Sequence, residues 1–421
     1  MVEITSTTNL QSILSDLRII DFTIVTAGAG ATQVLADMGA DVIKVEASGH
    51  FDPFRHWAAL TGDVGGDDDT SSPPFRTVNR NKRALNINLK DPRGVDLLMS
   101  LIARSDVVIE NFRRGVIEKM GLGYDILRKA NPNIVFVSLS SQGASGPNAS
   151  FASFGSTLDG LGGLMSVTGY DEGSPLWSGN KVNYPDQVVS LLAPSVVLAA
   201  VMSARESGEA LWLDLSQREA VTSLVGDVMV HHSMTGVIPT PAGNAAPNSL
   251  DFCVPCEGAD EWLAVSLAND ADWAALCEAV GRSDLRDEPA LATQQARRAN
   301  ASRIRDAVAA WVSSRTKGAA MDYLQKAGLS AAAVMKGPAL LDDPYLNSID
   351  FFAEVPVPGS DTTERQRGLP VRLKGAEPFQ VRRPAPHIGE HSAAIVSDVL
   401  GFDESTIRQL IKDKIIGVFD E

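Results

Sequence analysis

Cysteine is nearly absent: three in 421 residues cannot build a disulfide framework, and free thiols fit a reducing compartment. Two of them, Cys253 and Cys256, form a CxxC. Only Cys277 is left to complete a ligand set, and no second CxxC or HxxxH stands at zinc-finger spacing, so neither a metal site nor a redox pair is expected. The pair reads instead as a turn beside a core strand. Positive charge is also in short supply, with 37 Lys and Arg against 52 Asp and Glu and a net charge of −15. That balance argues against nucleic acid and against an anionic membrane as partners. The opening segment MVEITSTTNLQSILSD has neither the basic nor the apolar part of an export signal, which makes the cytoplasm the expected location. No uninterrupted apolar run reaches the roughly 20 residues of a bilayer span. The longest candidate, VVSLLAPSVVLAAVMSA from Val188, is broken by Ser190, Pro194 and Ser195 and reads as a buried helix.

What is present is an ordinary globular composition, 44% hydrophobic and 6% aromatic, in a chain long enough for two or more domains. Strand-like segments LRIIDFTIV, DVIKVE, ALNINL, DVVIEN and NIVFVSLS alternate with helical ones over Ala29–Met38, from Asp91 and Pro92 onward, and over Gly121–Asn131. Such alternation predicts an α/β fold with a parallel sheet and crossover helices. Asp91 and Pro92 suit an N-cap and a first helical residue. Between DVIKVE and ALNINL, DVGGDDDTSSPP (63–74) predicts a surface loop or flap. A helix from about Asp186, a strand LWLDLS and a helix from Ser216 lead to GVIPTPAGNAAPNS, whose Pro, Gly and Asn suit a linker into a smaller α/β unit. From Leu329 the pattern changes to a strand AAAVM, two strands around FFAEVPV and GLPVRLKG, and a closing helix near Glu404–Lys412.

The stretch IVTAGAGATQVLADMGADVIKVEAS (24–48) imitates a dinucleotide fingerprint. Gly28 and Gly30 would form the turn, and Glu46 would be the acid that reaches ribose. The third glycine of GxGxxG is Gln33, so the close helix-to-strand packing that glycine permits is missing, and a nicotinamide site is disfavoured.

Five blocks in order carry a resemblance over nearly the whole chain. They are LRIIDFTIVTAGAGATQVLADMGADVIKVE, NRNKRALNINLKDPRG, DVVIENFRRGVIEKMGLGYDILRKANPNIVFVSLSSQGASGP, GGLMSVTGYDEGSP and PHIGEH. Together they resemble the class III CoA-transferases, the family of formyl-CoA and carnitine CoA-transferases that also includes α-methylacyl-CoA racemases. The resemblance implies a Rossmann-like large domain built from 1–225 and 329–421, with a small α/β domain over 240–328 inserted by linkers. It further implies two interlocked subunits, as a homodimer or a heteromer with a paralogous chain. The ligands it implies are an acyl-CoA and a carboxylic acid, with coenzyme A as part of the substrate and no tightly bound cofactor or metal.

CoA transfer between carboxylates needs a nucleophile that can hold an acyl group as an anhydride and CoA as a thioester. A carboxylate does both and is ionised at pH 7 without an adjacent base. The family's catalytic aspartate matches Asp186, in KVNYPDQVVS; an Asp before an apolar helix is also a common N-cap. An oxyanion forms at each attack and calls for donors. The resemblance places one at Thr26, where some relatives carry glutamine, and puts a Gly-rich loop near Gly243 and Asn244. It implies CoA contacts at Val25, Ala27, Ile87, Lys90, Asn111, Phe112 and Lys119, with Lys82 and Arg83 as further cations for phosphate. Ala47 and Arg114 depart from the family's arginine and proline. Racemases of the family carry a histidine where this chain has Phe154, so racemisation is disfavoured, and His231, His232 and His391 have no catalytic assignment. The NYPDQ context resembles members that act on aromatic succinates, such as benzylsuccinate, with succinyl-CoA as donor.

Overall fold

The computed structural model describes residues 10–47, 49–57, 69–70, 72–170, 175–177, 182–246, 248–358, 360–374 and 376–419. The chain divides into two compact units, one of Met1–Met165, Trp177–Val237 and Pro344–Glu421, the other of Ser166–Leu176 and Ile238–Asp343.

The larger unit is built on β1 (Arg18–Asp21), β2 (Asp41–Ala47), β3 (Arg83–Ile87), β4 (Val107–Glu110), β5 (Val135–Ser138) and β6 (Leu211–Asp214). These run parallel in the order β3-β2-β1-β4-β5-β6, and the short strand Ile416–Gly417 pairs antiparallel outside β3. This is the Rossmann order, in which the winding reverses between β1 and β4 and ligands meet the carboxyl ends of the strands. The expected α/β fold with a Rossmann-like parallel sheet is the one adopted.

Successive strand residues enter opposite cores. Ile19 packs with Val42, Val107 and Val135, while Ile20 packs with Ile43, Leu85 and Val108. Because both faces are covered, the strands read as continuous apolar runs. The helix foreseen after Asp91 spans Pro92–Ile102, with the Asp91 carboxylate accepting the Arg93 N–H. Part of the 63–74 segment lies outside the described residues. Its end, Pro73, opens the helix Pro73–Asn79 where a loop was expected, since proline is well suited to a first helical turn.

The long helix Tyr184–Ser207 has 24 residues and, among the described residues, is long and apolar enough to cross a membrane. One face joins the sheet's core through Val189, Ala193 and Val197. The other leaves Leu191 64% and Met202 72% exposed, so the buried-helix reading holds for only one side.

In the smaller unit, β7 (Leu250–Pro255), β8 (Trp262–Leu267) and β9 (Ser330–Ala333) form an antiparallel sheet over a core that includes Trp273, Ile304 and Leu324. The sequence reading ended this unit at residue 328. Pairing of β9 with β8 corrects that boundary and carries the unit on to Asp343. A second correction concerns the hairpin of β10 (Phe352–Pro356) and β11 (Thr363–Arg367). Its second strand is TERQR and not GLPVRLKG, where Pro370 has no N–H for a ladder.

Candidate active site

The chain leaves β1 through Thr23, Ile24 and Val25, and a different side chain grips each of them. Asp21 accepts the Thr23 N–H at 2.8 Å and its hydroxyl at 2.5 Å. Asn111, just past β4, accepts the Ile24 N–H at 2.9 Å and donates to the Ile24 carbonyl at 2.8 Å. Asp52 accepts the Val25 N–H at 3.1 Å. Val25 has a φ of 62°, a left-handed backbone that is a genuine outlier for a β-branched residue.

Thr26 is the N-cap of the first helix, Ala27–Asp37, and its side chain makes no cap bond. The helix's leading N–H groups, with the positive end of the peptide dipoles, are therefore left without that acceptor. The long helix meets this end through Ser190. Its Oγ donates to the Asp186 carbonyl at 2.8 Å and lies 3.0 and 3.2 Å from the carbonyl oxygens of Ala27 and Thr26. A Cβ at residue 30 would come within 2.6 Å of that hydroxyl, so glycine there lets the two helices close up.

Asp186 is the third residue of the long helix, after the N-cap Asn183, then Tyr184 and Pro185. The N-cap reading of Asp186 is thereby overturned, because Asn183 takes that place. Asp186 is 9% exposed. Burial pushes its carboxyl up to about 6, Asp159 adds repulsion, and a hydrogen bond from Asn183 pulls the other way. Among the described residues no cation contributes to this shift. At pH 7 about 90% of such a carboxyl is ionised. It is also poorly solvated, which suits a nucleophile that needs no partner base.

The other sequence-predicted residues fall into three groups. Ala27 and Ile87 are core residues, Ile87 lying between Ala47 and Ile416, so only their backbone can meet a ligand. The Asn111 carboxamide is committed to Ile24, which likewise leaves its main chain, and the half-buried Phe112 donates its N–H to Glu110 at 2.6 Å. Burial pushes the Glu110 carboxyl up to about 7. Lys90, after β3, and Lys119, on the short helix Val116–Lys119 after β4, are exposed at the carboxyl-end side of the sheet. The main-chain carbonyls of Thr26, Ala27 and Asp186 meet at Ser190, and Val25 lies in the preceding turn, whose Ile24 is held by Asn111.

Lys82 and Arg83 are corrections. Lys82 is fully buried, with Nζ 3.0 Å from Asp21, 3.0 Å from the Ala29 carbonyl and 2.9 Å from Asn79. Arg83 grips Asp41 at 2.8 and 2.7 Å. Neither is free for phosphate. The dinucleotide reading fails on the same grounds: Glu46 is 4% exposed and held by Arg55 at 2.9 and 2.5 Å, so reaching a ribose would strand a buried cation.

A family profile described as CoA-transferase family III matches residues 14–392. The chain belongs to CoA-transferase family III. The succinyl-CoA:mesaconate CoA-transferase of Haloarcula marismortui is 34% identical to it, over 94% of this chain and 98% of that one. The succinate--glutarate CoA-transferase of Agrobacterium fabrum is 30% identical, over 92% and 95%. A crystal structure of a CAIB/BAIF family protein from Brucella suis shares the fold, with a TM-score of 0.82 over 93% of this chain and 100% of that one at 24% identity. The expected family and the expected class of acyl-CoA:carboxylate CoA-transferase are borne out.

In this family III chain Phe154 caps the helix Gly155–Gly162 and is 76% exposed, offering no proton donor where racemases carry histidine. Cys253 lies within β7, Cys256 is buried just past its end, and burial raises both thiols. Among the described residues no cluster of three His, Cys, Asp or Glu could hold a metal. Sequence reasoning missed Asp52, Asn183 and Asp159. The first had a signal in Asp52-Pro53, the same cap-then-proline pattern as Asp91-Pro92, since Asp52 accepts the Phe54 N–H. Nothing local tied it to Val25.

Proposed function

We propose that the protein moves coenzyme A from succinyl-CoA to a carboxylate of a second dicarboxylic acid through covalent intermediates on Asp186. The Asp186 carboxylate adds to the thioester carbon, and the C–S bond breaks to leave a mixed anhydride and CoA thiolate. The thiolate attacks the Asp186 carbonyl carbon, expels succinate and forms an aspartyl-CoA thioester. The acceptor carboxylate attacks that carbon and frees the thiolate, which then attacks the acceptor's carbonyl in the new anhydride. Acyl-CoA leaves and the Asp186 carboxylate returns. Each addition places charge on an oxygen, and the Thr26 hydroxyl with the first N–H groups of its helix are the donors for it.

The single observation that carries this reading is a buried carboxyl raised to about 6, with no cation among its influences from the described residues, on a helix whose Ser190 hydroxyl links the Asp186 main-chain carbonyl to the carbonyls of Ala27 and Thr26 at an uncapped helix start. Val25, Ala27, Ile87 and Asn111 would meet CoA through the main chain and Phe112 through its ring, while Lys90 and Lys119 supply charge for its phosphates. The names of the two relatives support a succinyl donor and an acceptor with two carboxyl groups. The context of Asp186 supports an acceptor of the substituted-succinate kind. Leu191, Leu192 and Met202 on the exposed face of the long helix support assembly with a second chain, because a monomer gains nothing by wetting them.

Succinyl-CoA incubation followed by intact-mass analysis, with and without hydroxylamine, tests the cycle. The expected result is a CoA-sized adduct that hydroxylamine releases and that Asp186→Ala abolishes. An adduct that persists unchanged in Asp186→Ala overturns the assignment.

A further inference from the structure

We propose that Asp52, anchored by Lys44, is a positioning residue that locks Val25 in its left-handed conformation and so aims Thr26 and the first helix at Asp186. The inference rests on the proposed cycle, and it concerns a side chain that touches no substrate in it.

The left-handed backbone of Val25 places a branched side chain where L-residues avoid it, a strain that the surroundings must offset. The offsetting contact is local and charged. Asp52 Oδ1 accepts the Val25 N–H at 3.1 Å and the Phe54 N–H at 3.0 Å. Its Oδ2 lies 2.9 Å from Lys44 Nζ. Both side chains are shut away from water, at 0% and 1% exposure. The ammonium also donates to the Thr23 carbonyl at 2.8 Å, so the Lys44–Asp52 pair grips the turn at both ends, Thr23 and Val25. Behind it, the Asp52 N–H is accepted by Glu46 at 3.0 Å, and Glu46 is paired with Arg55, which fixes the loop that carries Asp52.

Val25 immediately precedes Thr26, so relaxation of its φ to a negative value swings the peptide that begins the first helix. A misplacement of about 1 Å at reacting groups costs on the order of 10²-fold in rate. Removing Asp52 should therefore slow acylation of Asp186. Glycine pays no penalty at positive φ. Val25→Gly should then restore geometry that no longer has Asp52 to hold it.

The test compares wild type, Asp52→Ala, Val25→Gly and the double variant by the rate and extent of the succinyl-CoA adduct, at a temperature well below every variant's unfolding transition. Expected are a fall of about 10²-fold in acylation rate for Asp52→Ala and a rate about tenfold or more above it in the double variant, with Val25→Gly alone as the reference for the double variant. A structural role alone would lower the melting temperature and would not be answered by a glycine at residue 25. Native acylation in Asp52→Ala overturns the proposal, and so does a slow Asp52→Ala that Val25→Gly fails to improve. Should Asp52→Ala not fold, Asp52→Asn keeps an acceptor for Val25 while removing the carboxylate that anchors on Lys44; the same rescue is expected, and its absence is equally decisive. A wild type that forms no adduct at all refutes the proposed cycle instead, so the two failures are distinct.

Discussion

Replacing Asp186 by asparagine should make the protein more stable and unable to form the covalent adduct. The side chain keeps its size and its hydrogen-bonding partner Asn183, and it loses only the charge. In the folded chain the carboxyl is raised from 3.8 to about 6 by burial, so the native state holds this proton more tightly than the unfolded chain does. Between those values stability falls as pH rises, and above about 6 the whole cost is present. A rise of about two pH units at about 1.36 kcal/mol each makes that cost roughly 3 kcal/mol at pH 7.5, and only about 1 kcal/mol remains at pH 4.5. Urea denaturation of wild type and Asp186→Asn at the two pH values measures it. The asparagine variant should win by roughly 3 kcal/mol at the higher pH, with the gap shrinking by about two-thirds at the lower. The same titration should lower the wild-type acylation rate about tenfold between pH 7 and pH 5, as the nucleophile becomes protonated. A variant less stable than wild type at pH 7.5, or a gap that does not change with pH, refutes the reasoning.

Two further outcomes follow from the turn and its supports. Asn111→Ala removes both bonds to Ile24; it should cost about 1–3 kcal/mol in urea and raise the KM for acyl-CoA more than it lowers kcat, and wild-type values for both would sink the assignment. Arg55 is fully buried, pairs with Glu46 and stacks 4.0 Å over Phe75, so Arg55→Ala strands a buried carboxylate and should cost about 3–5 kcal/mol, against which a loss under about 1 kcal/mol by the same measurement would count.

The parallel sheet was legible because both its faces are covered, which writes each strand as a dense apolar run such as DVVIEN or NIVFVSLS. Helix starts were legible where an acid precedes a proline, as at Asp91. At Asp186 the acid follows the proline instead, and the cap is Asn183. The placement of β9 in the small sheet was not legible, since its partner β8 is distant in sequence and four small residues carry little pattern. Charge is ambiguous in a sequence for a similar reason. Lys82 looks the same whether it faces water or Asp21, and only the packed sheet puts it against the latter. The strain at Val25 needs Asp52, Asn111 and Lys44 to exist, three residues from three segments, so no window of sequence contains it.

That strain also bears on why a Rossmann strand order serves this chemistry here. In a dinucleotide site the turn after β1 presents a helix N-terminus to a pyrophosphate, and the acid ending β2 reaches the ribose. In this chain the β2 acid is spent on Arg55, and Gln33 is buried where a third glycine would let helix and strand approach. Ser190 seats the long helix against the start of the first one, so the ground beside the turn is occupied by protein. What that helix brings is a carboxyl. The positive helix end that elsewhere holds a phosphate in the ground state is thus aimed, in the proposed cycle, at charge that exists only while Asp186 is being acylated, which is the more effective use of a fixed dipole because it favours the transition state over the bound substrate.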